Sequence, residues 1–164
     1  MLLAYLNTME MELLGALSRQ EASFAVVGGH AVLAYSSPER PDGSTRTLGD
    51  LDILVDPAIE NLRRVSRALA QLRINASAEQ LDAAYTNEQL PNLTGGYRAQ
   101  LFPRIAGVET SEVLQSSRTA QSSVGPLPVI SKQHLMTAKR AAGRPKDIED
   151  LRVLELSESE PNSR

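Results

Sequence analysis

The chain contains no cysteine and only two histidines, His30 and His134. The first absence excludes disulfides, zinc ribbons, iron–sulfur clusters and thiol nucleophiles; the second argues against a histidine-rich metal site. Tryptophan is missing too, and four tyrosines with two phenylalanines are too few to lay out stacking platforms for a single strand of nucleic acid. Neither a Gly-x-Ser-x-Gly elbow nor a phosphate loop with Gly-Lys-Ser/Thr occurs, which disfavours hydrolase and P-loop readings. The longest apolar runs, near 24–29 and 53–55, fall far short of the ~20 residues that span a bilayer. Met1-Leu2-Leu3-Ala4-Tyr5-Leu6 lacks the basic start of a secretion signal. Positive charge is not in excess either: 17 Lys and Arg against 20 Asp and Glu leave a net charge of −3, so no global field draws the protein to nucleic acid. What is present is ordinary globular usage, with 164 residues, 41% hydrophobic and 23% charged. The expectation is one cytoplasmic domain over 1–156, away from membranes, followed by a polar, frayed tail over 157–164.

Periodicity gives the elements. Leu6, Met9, Leu13 and Leu17 form one stripe of a helix capped by Asn7 or Thr8. Phe24-Ala25-Val26-Val27 reads as a buried strand, Gly28-Gly29 as a tight turn, and His30 to Tyr35 as a short helix. Ser36 to Gly49 is rich in turn residues and forms a loop of functional length. A second strand opens at Asp50-Leu51-Asp52-Ile53-Leu54-Val55. Asp56 and Pro57 then suit the cap and first position of a helix that buries Leu62, Val65, Leu69 and Leu72. Further on, a helix is expected near 79–85, a turn at Thr94-Gly95-Gly96, a strand over 97–102, a helix over 111–119 and a strand over 126–130. Ser131 caps a helix that Gly143 stops, and Arg144-Pro145 starts another, striped by Ile148, Leu151 and Leu154.

One stretch carries chemistry. Residues i and i+2 of a strand share a face, so Asp50 and Asp52 project together. Two carboxylates so placed repel unless a cation lies between them, and hard oxygen ligands suit Mg²⁺, which fills its other positions with phosphates and water. The glycine pair, ahead of a helix N-terminus, lets a phosphate approach the backbone. A glycine pair or an Asp-x-Asp alone is commonplace, as a turn or a solvated edge. Their order, each with its own strand, makes them a site.

Val27-Gly28-Gly29-His30-Ala31-Val32 followed by Arg46-Thr47-Leu48-Gly49-Asp50-Leu51-Asp52-Ile53-Leu54-Val55 resembles the signature of the DNA polymerase β-type nucleotidyltransferases. The segment from Leu135 to Leu151, with Lys139, Asp147 and Asp150, is similar to that of the minimal AbiEii-type members, toxins of type IV toxin–antitoxin systems. The resemblance spans roughly residues 10–155 and implies an α/β (α+β) fold, a mixed sheet flanked by helices. It implies that Gly28 and Gly29 hold a nucleoside triphosphate, that Asp50 and Asp52 bind Mg²⁺ or Mn²⁺, and that Lys139 contacts phosphate. Asp147 or Asp150 would stand near the site. A nucleoside monophosphate would pass to an acceptor hydroxyl on tRNA, protein or a small molecule, and an antitoxin would be the partner. His30 could donate to a phosphate or cap its helix, and Arg46 and Thr47 could reach phosphates. Read without the resemblance, Lys139 on a face with Leu135 and Ala142 would snorkel to solvent, and Asp147 would favour a helix dipole. Residues 132–152, with six basic and three acidic side chains, form a local basic face that suits a polyanionic acceptor.

Two departures from that pattern stand out. Twenty residues separate Gly29 from Asp50, longer than in such relatives. In the strand Ala99-Gln100-Leu101-Phe102, Gln100 takes the place of a third carboxylate. An amide is a weaker ligand for a hard cation and cannot act as a base. The alternative expectation is therefore a nucleotide-binding or partner-binding module without catalysis.

Overall fold

The computed structural model describes residues 1–157; residues 158–164 of the expected tail lie outside the described residues. The first helix, α1 (Thr8–Arg19), is capped by Asn7, whose side chain accepts from the Glu10 amide while the Glu10 carboxylate accepts from the Asn7 amide. Strand β1 (Phe24–Val27) is buried throughout, as its unbroken apolar run requires, and leads directly into α2 (Gly28–Tyr35). The expected turn at the glycines is thus the first step of the helix itself. Strand β2 (Leu51–Val55) follows the long loop, with Asp50 just before its first residue.

Helix α3 (Ile59–Gln71) begins later than Asp56-Pro57 suggested. Ala58 takes the cap position without a side-chain bond, and the Asp56 carboxylate accepts from the Ala58 amide, forming a turn ahead of the helix. Helix α4 (Ala78–Thr86) carries a Ser77/Gln80 capping box. Strand β3 (Ala99–Phe102), helix α5 (Thr110–Gln115), strand β4 (Arg118–Ala120) and strand β5 (Leu127–Val129) come next. The helix expected over 111–119 is therefore cut short, because its end is drawn into the sheet as β4. Helix α6 (Lys132–Ala142) is capped by Ser131 and ends at Gly143 in the left-handed conformation, φ 64°. Helix α7 (Pro145–Leu156) has proline at its first position, and Ser157 follows it as the C-cap.

The five strands form one mixed sheet in the order β3-β2-β1-β5-β4, with β1 in the centre. Strands β1 and β2 are antiparallel, β1 and β5 parallel, β2 and β3 parallel, and β4 and β5 antiparallel. The N-terminal segment covers the β4 edge through two backbone hydrogen bonds with Gln121, to Met1 and from Leu3. Helices flank the sheet in two groups: α1, α3 and α4 pack together, and α2 packs with α6 and α7. The buried side chains, Leu13, Leu17, Ile53, Leu62, Leu69 and Leu101 among them, form one connected core. No helix among the described residues is long and apolar enough to cross a membrane.

One face departs from its sequence pattern. On α7, Ile148 is 46% exposed and Leu151 half-buried; the inward residues are Asp147, Asp150 and Leu154. Two carboxylates displace the apolar stripe because buried cations wait for them on neighbouring elements.

Candidate active site

Antiparallel pairing brings the end of β1 beside the start of β2, Val27 opposite Asp52. At that end of the sheet a cleft of about 860 Å³ opens between the loop 36–49, β3, α6 and α7. Every residue singled out in the sequence lines it: Gly28, Gly29, His30, Arg46, Thr47, Asp50, Asp52, Gln100, Lys139, Asp147 and Asp150.

The glycines are required by two different neighbours. Gly28 has φ +65°, and a Cβ there would stand 2.5 Å from Asp52 Oδ2. A Cβ on Gly29 would meet the Arg46 guanidinium at 3.1 Å. The pair thus makes room for the Asp52 carboxylate on one side and for a flat cation on the other.

Asp50 is exposed, and Arg98 Nε lies 3.3 Å from its Oδ1. Asp52 is half-buried; burial pushes its carboxyl above the usual range, and Asp50 adds to this, while Lys139, Lys146 and Arg144 oppose. Gln100 stands in register beside Asp52 across the parallel β2–β3 pair, on the exposed side of its strand. The donor set suits a magnesium ion in part. Among the described residues no three His, Asp or Glu side chains gather around one point, so an ion held by Asp50 and Asp52 would complete its shell from Gln100, substrate phosphates and water.

A second acidic pair meets a different fate. Asp150, 1% exposed, accepts from Arg40 Nη2 at 2.7 Å and from Arg46 Nε and Nη2 at 2.8 Å each, and Lys139 Nζ lies 3.0 Å from its Oδ2. Burial disfavours its charge, yet the bonds from Arg46 and Lys139 prevail and hold its carboxyl down to about 2. Asp147 accepts from Lys139 Nζ at 3.1 Å and Arg144 Nε at 2.7 Å, and is also held low against the cost of burial. Lys139 is therefore buried between two carboxylates, not directed to solvent as its helical neighbours suggested. Asp147 does more than favour a dipole: it also accepts from the Arg144 amide, closing the capping box of α7.

His30 neither caps α2, whose N-cap is Val27, nor lies on the surface. Its Nε2 is 3.4 Å from Glu10 Oε2, its Nδ1 has no hydrogen-bond partner, and burial draws its pKa below the ordinary value. Arg46 turns its Nε and Nη2 to Asp150 and its Nη1 to the Thr47 carbonyl; the Thr47 side chain is exposed. Sequence reasoning missed Arg40, whose side chain is buried and which also lies 3.6 Å from Glu149 through Nε. Nothing local marks it in a loop of turn residues. Arg144 and Lys146 were visible only as part of a basic segment.

No family model matches the chain, and no curated protein matches it.

Proposed function

We propose that the cleft binds a nucleoside triphosphate with Mg²⁺ and transfers its nucleoside monophosphate to an acceptor hydroxyl. The observation that carries this reading is that Asp52 on β2 and Asp50 just before it line one cleft, at the sheet end where a glycine-started helix begins, with Lys139, Arg144 and Lys146 lining it too. Two carboxylates with little direct cationic pairing suit a divalent ion, and that ion would neutralise charge on the attacking and leaving oxygens. Lys139, held between Asp147 and Asp150, and Arg46, held by Asp150, are fixed cations ready for phosphate oxygens. The acceptor oxygen forms a bond to the α-phosphorus, the bond to the bridging oxygen breaks, and pyrophosphate leaves; the hydroxyl proton passes to solvent. The resemblance to the AbiEii-type toxins supports the same chemistry and adds a tRNA or protein acceptor and an antitoxin partner. The basic face of 132–152 fits a polyanionic acceptor.

Gln100 favours a second reading. Beside Asp52 it supplies neither charge nor base, so the cleft would bind nucleotide without transferring it. Mg²⁺ with NTP should raise Tm by mass action in either case, and the double variant Asp50→Asn, Asp52→Asn should lose the gain. An undiminished gain in that variant overturns both readings. Labelled NTP incubated with Mg²⁺ and total RNA or cell extract then separates them: label transfer supports the enzyme, and binding without transfer supports the module.

A further inference from the structure

Beside its charged groups the cleft is also lined by Phe102, Ile105, Ala106, Leu135, Ala138 and Ala142. Phe102 lies two residues beyond Gln100 on β3, so the two side chains share a face about 7 Å apart along the strand. Because Gln100 pairs with Asp52 and Phe102 with Leu54, the apolar wall begins one step beyond the carboxylates. Helix α6 contributes Leu135, Ala138 and Ala142, around Lys139, to the lining of the same cleft, and the two alanines are small. Gly107 pins the connecting segment to this helix: at φ +81°, a Cβ there would fall 2.5 Å from Ala141 Cβ and 3.3 Å from the Thr137 carbonyl. Ala106 and Ala142 are exposed, Phe102, Ile105 and Ala138 half-buried and Leu135 buried, so the accessible part of this lining is Phe102, Ile105 and the alanines.

Few groups there could read hydrogen-bonding edges. Gln100 belongs to the carboxylate end, and Arg104, which also lines the cleft, has a side chain 73% exposed and lies 3.6 Å from Glu88. A site that reads a polar edge with fixed partners rejects the wrong analogue strongly, whereas an apolar slot accepts any flat ring that fits.

We propose that this wall receives the base of the bound nucleotide, stacked on Phe102, and that it selects by ring surface without reading the base edge. The proposal rests on the nucleotide reading of the cleft and adds that ATP and GTP are bound alike. Its test is equilibrium binding of ATP, GTP and inorganic tripolyphosphate, each with Mg²⁺, to the intact chain, to Phe102→Ala and to Ala142→Leu. A melting curve accompanies each variant. ATP and GTP should agree within about threefold, and Phe102→Ala should weaken both about tenfold, as loss of a stacking ring does. Ala142→Leu, which adds bulk to the cleft lining from an exposed position, should weaken both as well. Tripolyphosphate should bind all three proteins equally. A preference of tenfold or more for one purine overturns the proposal. So does unchanged nucleotide affinity in both variants while tripolyphosphate still binds, an outcome that leaves the charged end of the site standing. If neither nucleotide nor tripolyphosphate binds the intact chain, the nucleotide reading falls and takes the wall with it. Should Phe102→Ala fail to fold, Ala142→Leu decides alone.

Discussion

Two pairs of aspartates line one cleft and live in opposite circumstances. Asp147 and Asp150 on α7 are buried and saturated by Arg40, Arg46, Lys139 and Arg144. Of Asp50 and Asp52, at the head of β2, Asp50 has Arg98 at 3.3 Å, and Asp52 feels Lys139, Lys146 and Arg144 from across the cleft while burial raises its carboxyl. The first pair has spent its charge on holding the loop 36–49 to α6 and α7. The second retains its charge for something else. Carboxylates in one cavity thus divide into those that build it and those free to bind in it.

The contrast can be broken by mutation. The largest effect is expected for Asp150→Ala, which strands Arg40, Arg46 and Lys139 without their shared counter-charge; loss of one partner of a buried ion cluster costs about 3–5 kcal/mol. Urea denaturation measures it, and Asp150→Asn, which keeps an acceptor oxygen, should lose less. A cost under about 1 kcal/mol for Asp150→Ala would show that the cluster does not hold the loop. Next in size is acid unfolding. The Asp150 carboxyl sits near 2 in the folded chain against an ordinary 3.8, so its contribution is complete above about 4 and disappears as pH falls through the folded value. Asp150→Asn should flatten the stability curve across that window. Asp52 has the opposite sign: its raised carboxyl favours folding at low pH, and that advantage is lost as pH rises. Asp52→Asn should therefore raise Tm slightly at neutral pH without Mg²⁺, by at most about 1 kcal/mol of stability. A clear loss of stability would mean that Asp52 is structural after all. The smallest effect belongs to Arg98→Ala, which removes an ion pair 84% exposed on the arginine side and should change stability by under about 0.5 kcal/mol.

The sequence revealed the parts of the site that depend on neighbours along the chain. Asp52 on β2 and Asp50 just before it reach one cleft at the i, i+2 spacing the sequence shows, and Ser131, Gly143 and Pro145 bound their helices through local geometry. It hid what depends on distant charge. The stripe of Ile148, Leu151 and Leu154 satisfies helical periodicity, but Asp147 and Asp150 take the inward face because Lys139, Arg40 and Arg46 reach them from elsewhere in the chain. Lys139 was hidden for the same reason. Strand β4 was missed because Arg118-Thr119-Ala120 has no period to read; it exists through pairing with β5 and with the first residues of the chain.

The Asp150 hub also sets an order of assembly. Its four contacts join residues 40 and 46 to residue 139 and to itself, about a hundred positions later. During synthesis β1, α2 and β2 leave the ribosome and can pair while α7 has not been made. Until then Arg40 and Arg46 have no counter-charge to bury against, and the loop that carries them stays solvated. Asp50 and Asp52 are thus placed early, whereas the cationic wall facing them closes last, so a nascent chain carries the halves of this cleft before it has the cleft.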